Sequence, residues 1–233
     1  MGEKHNLVLV PGLLCSDALF TDQLSGLCDI SELQIGRILK HDNLADMAAA
    51  ILRVAPPKFA LAGLSLGGHV AFEMLRQAPG RIIKLALLNT NARADRPEQI
   101  AFRRMLIGLA NTMGPRNVQA AALPILIHKS RLIDRALVDR ILNMADDVGR
   151  AAFLRQQNAI INRSDNRAFL ADIKCQTTII VGEQDMLTPI KVAKEMHDVI
   201  PQSTMKVIPE CGHLSTMECP QQVNAVLRSW LTH

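Results

Sequence analysis

The chain has 233 residues, 48% of them hydrophobic and 21% charged, a composition that excludes disordered, collagen-like and disulfide-scaffold proteins. At roughly 100–200 residues per domain, this length allows one large domain or one domain that carries an insertion. The 26 basic and 22 acidic residues leave a formal net charge of +4 without any long block of like charges, so the sequence predicts no nucleic-acid partner.

Cysteine usage and hydropathy indicate the compartment. The five cysteines are odd in number and scattered, which favours a reducing environment over an oxidising one. No apolar run approaches the roughly 18 residues that a membrane span needs. The apolar segment Leu7–Cys15 resembles the core of a signal peptide, but Pro11 and Gly12 interrupt it and no cleavage site follows. We therefore expect a cytoplasmic protein without a membrane partner.

Strand and helix patterns alternate in the first part of the chain. Asn43 is positioned to cap a helix over Leu44–Val54, and a second helix is predicted from His69 to Gln77. Short apolar runs predict buried parallel strands at Leu7–Val10, Leu33–Leu39, Phe59–Ala62 and Ile82–Leu88. This alternation is typical of an α/β fold.

The alternation breaks after the fourth predicted strand. Only helical patterns follow, at Pro97–Asn111, Ile133–Leu142 and Ala151–Asn162. Alternation then resumes with strands at Thr177–Val181 and Met205–Ile208 and helices at Ile190–Val199 and Gln221–Leu231. We therefore predict an α/β protein with an open, mostly parallel sheet that carries helices on both faces. Its core comprises residues 1–90 and 174–233, and residues 91–173 form an all-helical insertion.

A Gly-x-Ser-x-Gly motif occupies residues 63–67, where a predicted strand meets a predicted helix. A sharp turn at that position raises the Ser65 hydroxyl above the sheet, and glycines are needed because side chains would collide with the crowded backbone. The N-terminus of the following helix favours developing negative charge. The alternative is a glycine-rich turn that merely packs a helix against the sheet.

A nucleophilic serine needs a base, and in open α/β sheets sites form beyond the carboxyl ends of the strands. Among the seven histidines, His213 alone lies in a loop just after a buried strand. His69 is expected to point away from Ser65 along its helix, and His128 and His197 fall on predicted helices. His213 is therefore the predicted base, the alternative being a loop histidine that hydrogen-bonds its own turn.

The base in turn needs a carboxylate that orients it, from a loop at another strand end. Asp185 fits, because it follows the strand Thr177–Val181 closely. Asp172 precedes that strand, at the wrong end of the sheet, and Glu183 is expected to face solvent or cap a turn. Asp185 is therefore the predicted orienting residue.

Serine, acid and histidine at successive strand ends follow the chain order of the α/β-hydrolase fold. The sequence resembles that superfamily over nearly its whole length, with the helical insertion in the place of the family's lid. The resemblance implies Ser65 as nucleophile, Asp185 as the orienting residue and His213 as general base. It also implies an oxyanion hole formed by the backbone N–H groups of Leu13 and Leu66.

Two segments depart from the family pattern. Pro11 stands where the loop after the first strand usually has a histidine, so the side-chain hydrogen bonding of that loop must differ. The usual Asp-x-x-Gly-x-Gly-x-Ser stretch after the next strand is shortened to Ile38–Asn43. Because the implied donor in the first loop is a backbone group, function can survive the first change.

The predicted insertion supplies an aliphatic surface without large rings. Most of its apolar side chains are expected to pack onto the sheet, and the rest, with Leu64, Leu66 and Leu214, predict an apolar acyl or alcohol pocket with few polar groups. The apolar residues are Met105, Leu106, Ile107, Leu109, Met113, Leu123, Ile125, Leu126, Ile127 and Met144. Four arginines near its start form a solvated face or meet a carboxylate or phosphate of the substrate; they are Arg93, Arg96, Arg103 and Arg104.

These features predict a serine hydrolase that acts on small-molecule carboxylic esters, thioesters or lactones with an apolar acyl group. No cofactor and no metal are required, although Cys211, His213 and Cys219 form a loose alternative set of metal ligands. Two other functions stay open: C–C bond cleavage or a lyase reaction by the same residues, and a ligand-binding receptor with hydrolase architecture.

Overall fold

A computed structural model describes residues 4–233, so residues 1–3 of the predicted core lie outside the described residues. The described chain forms one sheet of six strands: β1 (His5–Val10), β2 (Ser31–Ile35), β3 (Phe59–Leu64), β4 (Ile82–Leu88), β5 (Gln176–Gly182) and β6 (Ser203–Ile208). Their order across the sheet is β2-β1-β3-β4-β5-β6, and every neighbouring pair is parallel. The predicted open α/β sheet is confirmed.

Helices connect the strands. In the described chain they are α1 (Thr21–Leu27), α2 (Leu44–Val54), α3 (Leu66–Gln77), α4 (Pro97–Met113), α5 (Pro115–Leu126), α6 (Arg135–Ile161), α7 (Ile190–His197), α8 (Ser215–Glu218) and α9 (Pro220–Thr232). Short 3-10 helices occupy Asp17–Phe20, Lys129–Arg131 and Arg167–Asp172. Between β4 and β5, residues 89–175 contain helices and no strand. Within residues 4–233, none of the helices combines the length and apolar character needed to cross a bilayer.

Both faces of the sheet are buried, because successive side chains of a strand point to opposite sides. Leu85 and Leu87 of β4 belong to the apolar cluster that includes α2, α3 and α7. Ala86 and Leu88 belong to a second cluster, together with residues of α1 and α9. The nearly continuous apolar strands of the sequence follow from this two-sided burial.

Three boundaries differ from the sequence prediction. The second strand ends at Ile35, and Ile38 is buried in the loop beyond it, because a buried loop residue is as apolar as a strand residue. Helix α5 was not predicted, since Pro124 lies inside it. The two helices predicted between residues 133 and 162 are parts of α6, which Gly149 interrupts with a φ of 70°.

The strand order reverses between β1 and β3, which pair side by side. Such a switch point leaves a crevice at the carboxyl ends of the two strands, where open α/β sheets bind ligands. The loops that follow Val10 of β1 and Leu64 of β3 therefore meet there, and the second of them begins with Ser65.

Candidate active site

Ser65 sits in a strained turn between β3 and α3. Its φ of 54° and ψ of −113° lie in a region that side chains rarely adopt. A Cβ on Gly63 would stand 2.3 Å from the carbonyl oxygen of Gly67, and one on Gly67 would stand 2.0 Å from the carbonyl oxygen of Val10. The two glycines of the motif thus allow the strand, the turn and the helix to pack closely enough to hold Ser65 in place.

The structure brings Asp185 and His213 together from two loops. The Oδ2 and Oδ1 atoms of Asp185 lie 2.9 and 3.0 Å from Nδ1 of His213, and both side chains are buried. Asp185 follows β5, and His213 follows β6. The carboxylate therefore fixes the ring orientation of the histidine, leaving Nε2 as the nitrogen that faces away from it.

Several donors hold Asp185 in its charged form. Its carboxylate accepts hydrogen bonds from the backbone N–H groups of Leu187 and Thr188, both at 2.9 Å, and from Oγ1 of Thr188 at 2.6 Å. Burial alone would raise the pKa of this carboxyl, but His213 and the Thr188 donors outweigh burial and lower the pKa below its ordinary value. Asp185 is thus an anion across the physiological range.

Ser65 and His213 line the same cavity, of about 420 Å³. Within the described chain no hydrogen bond joins the Ser65 hydroxyl to the imidazole. Leu13 and Leu66 line this cavity too, and neither backbone N–H donates to a protein acceptor within residues 4–233. Leu66 begins α3, where a free N–H is expected.

The loop after β1 lies directly against the serine turn. A Cβ on Gly12 would stand 3.4 Å from Cβ of Ser65. The N–H of Leu14 donates to Oε1 of Gln156 on α6 at 3.1 Å, and Leu14 has a φ of 55°. A side chain of α6 thus hydrogen-bonds this loop, in which Pro11 stands in place of a histidine.

Two buried side chains that sequence reasoning missed support the histidine loop. Asn89, just after β4, donates from Nδ2 to Asp185 at 2.9 Å and to the carbonyl of Gly212 at 3.2 Å. The Glu218 carboxylate accepts from the backbone N–H groups of His128, Gly212 and Leu214 at 2.7 to 3.1 Å. The partners of Asn89 lie in segments distant along the chain, so no local pattern marks it. Glu218 binds two residues of the loop just before it and the distant His128, and a single acid beside a loop is not a distinctive pattern.

The acids and histidines that were not selected as orienting residue or base lie elsewhere in the fold, with the exception of His69. Asp172 ends the 3-10 helix before β5, and Glu183 is exposed. His197 is the last residue of α7, whereas His128, expected on a helix, precedes a 3-10 helix. His69, expected to point away from Ser65, instead lines the same cavity.

The cavity lining is apolar in part. Leu64, Leu66 and Leu214 line it, as predicted. Of the ten apolar residues named in the insertion, the five that line it are Met105, Leu106, Leu109, Ile125 and Leu126. Others, such as Met144, pack into the core, as was expected for most apolar side chains of the insertion.

The prediction of few polar groups in the pocket was wrong. Asn91, Gln99, Gln119, Gln157 and Arg163 are among the polar residues of the lining. Of the four arginines singled out in the sequence, only Arg103 is part of it. Arg163, at the far end of the insertion, was not singled out because its burial depends on residues that are distant in sequence.

The metal alternative has no support in the described chain. Within residues 4–233, His, Cys, Asp and Glu side chains form no group of three or more that could hold a metal ion. All five cysteines are free thiols.

Comparisons with known proteins identify the family of the chain. A model of the alpha/beta hydrolase family matches residues 29–226. The chain belongs to the alpha/beta hydrolase family. The resemblance seen in the sequence is thereby confirmed, and the protein is a hydrolase.

Relatives of this hydrolase include named esterases. It is 28% identical over 188 residues to the pimeloyl-[acyl-carrier protein] methyl ester esterase of Nitrosomonas europaea, covering 78% of this chain and 74% of that one. A thermophilic esterase from Thermogutta terrifontis, with malate bound, matches with a TM-score of 0.90 at 28% identity, over 99% of this chain and 90% of that one. The enol-lactonase from Burkholderia xenovorans LB400 shares the fold, with a TM-score of 0.88 at 19% identity, over 100% and 93% of the two chains.

Proposed function

We propose that this hydrolase cleaves small-molecule carboxylic esters through a covalent acyl-enzyme, with Ser65 as nucleophile, His213 as general base and Asp185 as the orienting carboxylate. The observation that carries the proposal is the 2.9 Å contact of Asp185 with His213, which lines the same cavity as Ser65. The esterase names of two relatives support an ester as the bond that is cleaved. Thioesters and lactones present the same reacting carbonyl group.

The proposed reaction has two halves. Oγ of Ser65 attacks the ester carbonyl while Nε2 of His213 takes the hydroxyl proton, and His213 then gives that proton to the departing alcohol. Water enters, and His213 takes a proton from it as the water oxygen attacks the acyl carbonyl. His213 then gives that proton to Oγ of Ser65 as the bond between Oγ and the acyl carbon breaks, which releases the acid and restores Ser65. Asp185 stabilises the imidazolium that forms in each half.

We assign the oxyanion hole to the backbone N–H groups of Leu13 and Leu66. Both residues line the cavity, and neither N–H has an acceptor in the described chain. A donor of this kind is worth about 3–4 kcal/mol of transition-state stabilisation, because it meets the negative charge only as that charge develops.

We assign residues 91–173 the role of a lid over a core of residues 1–90 and 174–233. Helix α4 contributes Met105, Leu106 and Leu109 to the cavity, and α5 contributes Ile125 and Leu126. These side chains supply an aliphatic surface for an acyl group.

The test is turnover of a panel of p-nitrophenyl esters of rising acyl length by the wild type and by Ser65→Ala. We expect turnover by the wild type and a loss of at least about a thousandfold in kcat in the variant, because the nucleophile is gone. The matched control is Ser25→Ala, at an exposed serine of α1, which keeps wild-type rates. Binding of esters without turnover, or turnover that survives Ser65→Ala, contradicts the proposal.

A further inference from the structure

One part of the cavity wall is polar and positively charged. It consists of Arg103 on α4, Gln157 on α6, Arg163 just after α6 and His69 on α3, a group that we call the arginine corner. None of these side chains takes part in the proton transfers proposed above. The proposed reaction therefore does not account for the presence of these four side chains in the cavity wall.

The charges of the corner do not balance. Arg103 and Arg163 both pair with Asp95, at 2.5 and 2.8 Å. The side chain of Asp95 is fully buried, and that of Arg163 is only 3% exposed. Two guanidinium groups and one carboxylate leave one unmatched positive charge, which is costly to bury.

Burial, more than the neighbouring charges, disfavours the charged form of Arg163. Burial lowers the pKa of its guanidinium to about 10, with Arg103 acting in the same direction and Asp95 against it. Burial and the two arginines also lower the pKa of His69 well below its ordinary value, so its ring is neutral. The corner thus disfavours further positive charge.

Nearby acids outside the corner are engaged elsewhere. Glu195 binds Arg93 at 2.8 Å, and Asp165 binds Arg167 at 2.7 Å. Both acids are partly exposed, so solvent screens their effect on the corner. The excess positive charge is therefore not neutralised by these residues.

Three buried polar atoms of the corner have no hydrogen-bond partner within residues 4–233. They are Nη1 of Arg163, Nε2 of Gln157 and Nδ1 of His69. Other contacts fix the groups that carry the first two: Nε of Arg163 donates to the carbonyl of Arg93 at 2.8 Å, and Oε1 of Gln157 accepts from Arg103 at 3.2 Å. Fixed N–H donors that lack an acceptor are satisfied when a ligand supplies one.

We infer that the arginine corner binds a carboxylate of the substrate, one that lies outside the bond to be cleaved. A carboxylate supplies the missing negative charge and acceptor oxygens for Nη1 of Arg163 and Nε2 of Gln157, and a guanidinium matches its geometry. This inference rests on the proposed ester hydrolysis. It narrows the substrate class to esters that also carry a free carboxylate.

Because Ser65 and the arginine corner both belong to the cavity wall, the distance between them limits the chain length of such a substrate. The ester carbonyl must reach Ser65 while the carboxylate reaches the corner. In a series of monomethyl esters of linear dicarboxylic acids, from succinate to sebacate, we therefore expect kcat/KM to peak at one chain length. The matched neutral series replaces the carboxylate by a carboxamide.

The first measurement is binding, read as the rise in melting temperature of the Ser65→Ala protein. We expect the preferred monomethyl ester to raise it more than the carboxamide, because only the carboxylate offsets the buried charge. Arg103→Met in the same background removes most of this difference. Arg103 is the residue chosen because it is partly exposed, whereas Arg163 is buried and holds the Arg93 carbonyl. A larger rise with inorganic phosphate than with the monoester overturns the assignment to a carboxylate.

The second measurement is turnover by proteins with intact Ser65. In Arg103→Met we expect the preference for the carboxylate ester over the carboxamide ester to fall by about tenfold or more, mainly through KM. Asp95 then balances the one remaining guanidinium, so no unmatched positive charge is left for the carboxylate to offset. The matched control is Arg104→Met, at an exposed neighbour that is absent from the cavity lining, which keeps the preference. An unchanged preference in Arg103→Met overturns the inference.

The two proposals fail in different ways. If both ester series are hydrolysed through Ser65 without any preference, the carboxylate site is wrong and the hydrolytic function stands. If binding of the carboxylate ester depends on Arg103 but no ester is turned over, the carboxylate site stands and the hydrolytic function is wrong.

Discussion

At the scale of single residues, His69 links the stability of the fold to pH. Its ring is buried beside Arg163 and Arg103, and its pKa is held well below the ordinary value by burial first and by the two guanidinium groups second. In the unfolded chain a histidine takes up a proton near about pH 6.5. Below that pH the unfolded state binds a proton that the folded state does not, so the free energy of unfolding falls as the pH falls.

We therefore expect His69→Gln to weaken the acid sensitivity of the fold. Between about pH 6.5 and 5, the wild type should lose up to about 1.4 kcal/mol per pH unit more than the variant does. The measurement is urea unfolding at several pH values, and the slope against pH is the readout, whatever the change in absolute stability. His233→Gln, at the exposed last residue, is the control and keeps the wild-type slope. Equal slopes in wild type and His69→Gln would contradict this, because they would mean that His69 has the same pKa in the folded and the unfolded protein.

Some residues of the candidate site could be selected from the sequence and others could not. Ser65, Asp185 and His213 were selected because each follows a strand that its apolar pattern reveals. Asn89 was not selected, since its side chain acts through contacts with loops distant along the chain. Glu218 was not selected, since no sequence pattern shows that its side chain turns back onto the backbone of the loop just before it. Arg163 was missed for the same reason: its burial and its contact with Asp95 exist only in the folded chain.

At the scale of elements, the contact between α3 and the end of β1 holds the site together. Gly67 allows it, because any larger residue would place a Cβ 2.0 Å from the carbonyl oxygen of Val10 and 2.9 Å from that of Pro11. These are backbone atoms, so relief requires the helix or the strand to move. Such a movement would separate Ser65 from the loop that contains Leu13.

We expect Gly67→Ala to lower the free energy of unfolding by about 1–3 kcal/mol, as overpacking does, and to reduce kcat as well. Gly108→Ala is the matched control on α4, where a Cβ would meet nothing within 4 Å. It should raise stability by up to about 1 kcal/mol, because alanine favours a helix over glycine. Denaturant unfolding of both variants checks this, and wild-type stability in Gly67→Ala would mean that the contact is not tight.

Elements differ in how well their patterns predict them. Helix α2 was predicted with its bounds, because Asn43 caps it and its side chain accepts from the N–H of Asp46. Helix α5 was missed, because a proline inside a helix is also the usual sign of a break. The second strand was placed too late, since Ile38 and Leu39 continue the apolar pattern into a loop.

At the scale of the whole molecule, the parallel sheet is what gathers distant residues. Ser65 follows β3, Asp185 follows β5 and His213 follows β6, and the carboxyl ends of parallel strands share one edge of the sheet. The alternation of strands and helices therefore sufficed to predict the fold and the edge of the sheet at which Ser65, Asp185 and His213 lie. The chemistry of the cavity wall did not follow, because it depends on how residues 91–173 fold over that edge.

Labelling by a fluorophosphonate, followed by mass mapping of the tryptic digest, tests most directly whether Ser65 is the nucleophile. We expect one modified peptide, Phe59–Arg76, whose only serine is Ser65. Labelling should vanish in Ser65→Ala and slow strongly in His213→Gln, because the hydroxyl needs its base to react. A label on another residue, or wild-type labelling of Ser65 in the absence of the His213 imidazole, would contradict this expectation.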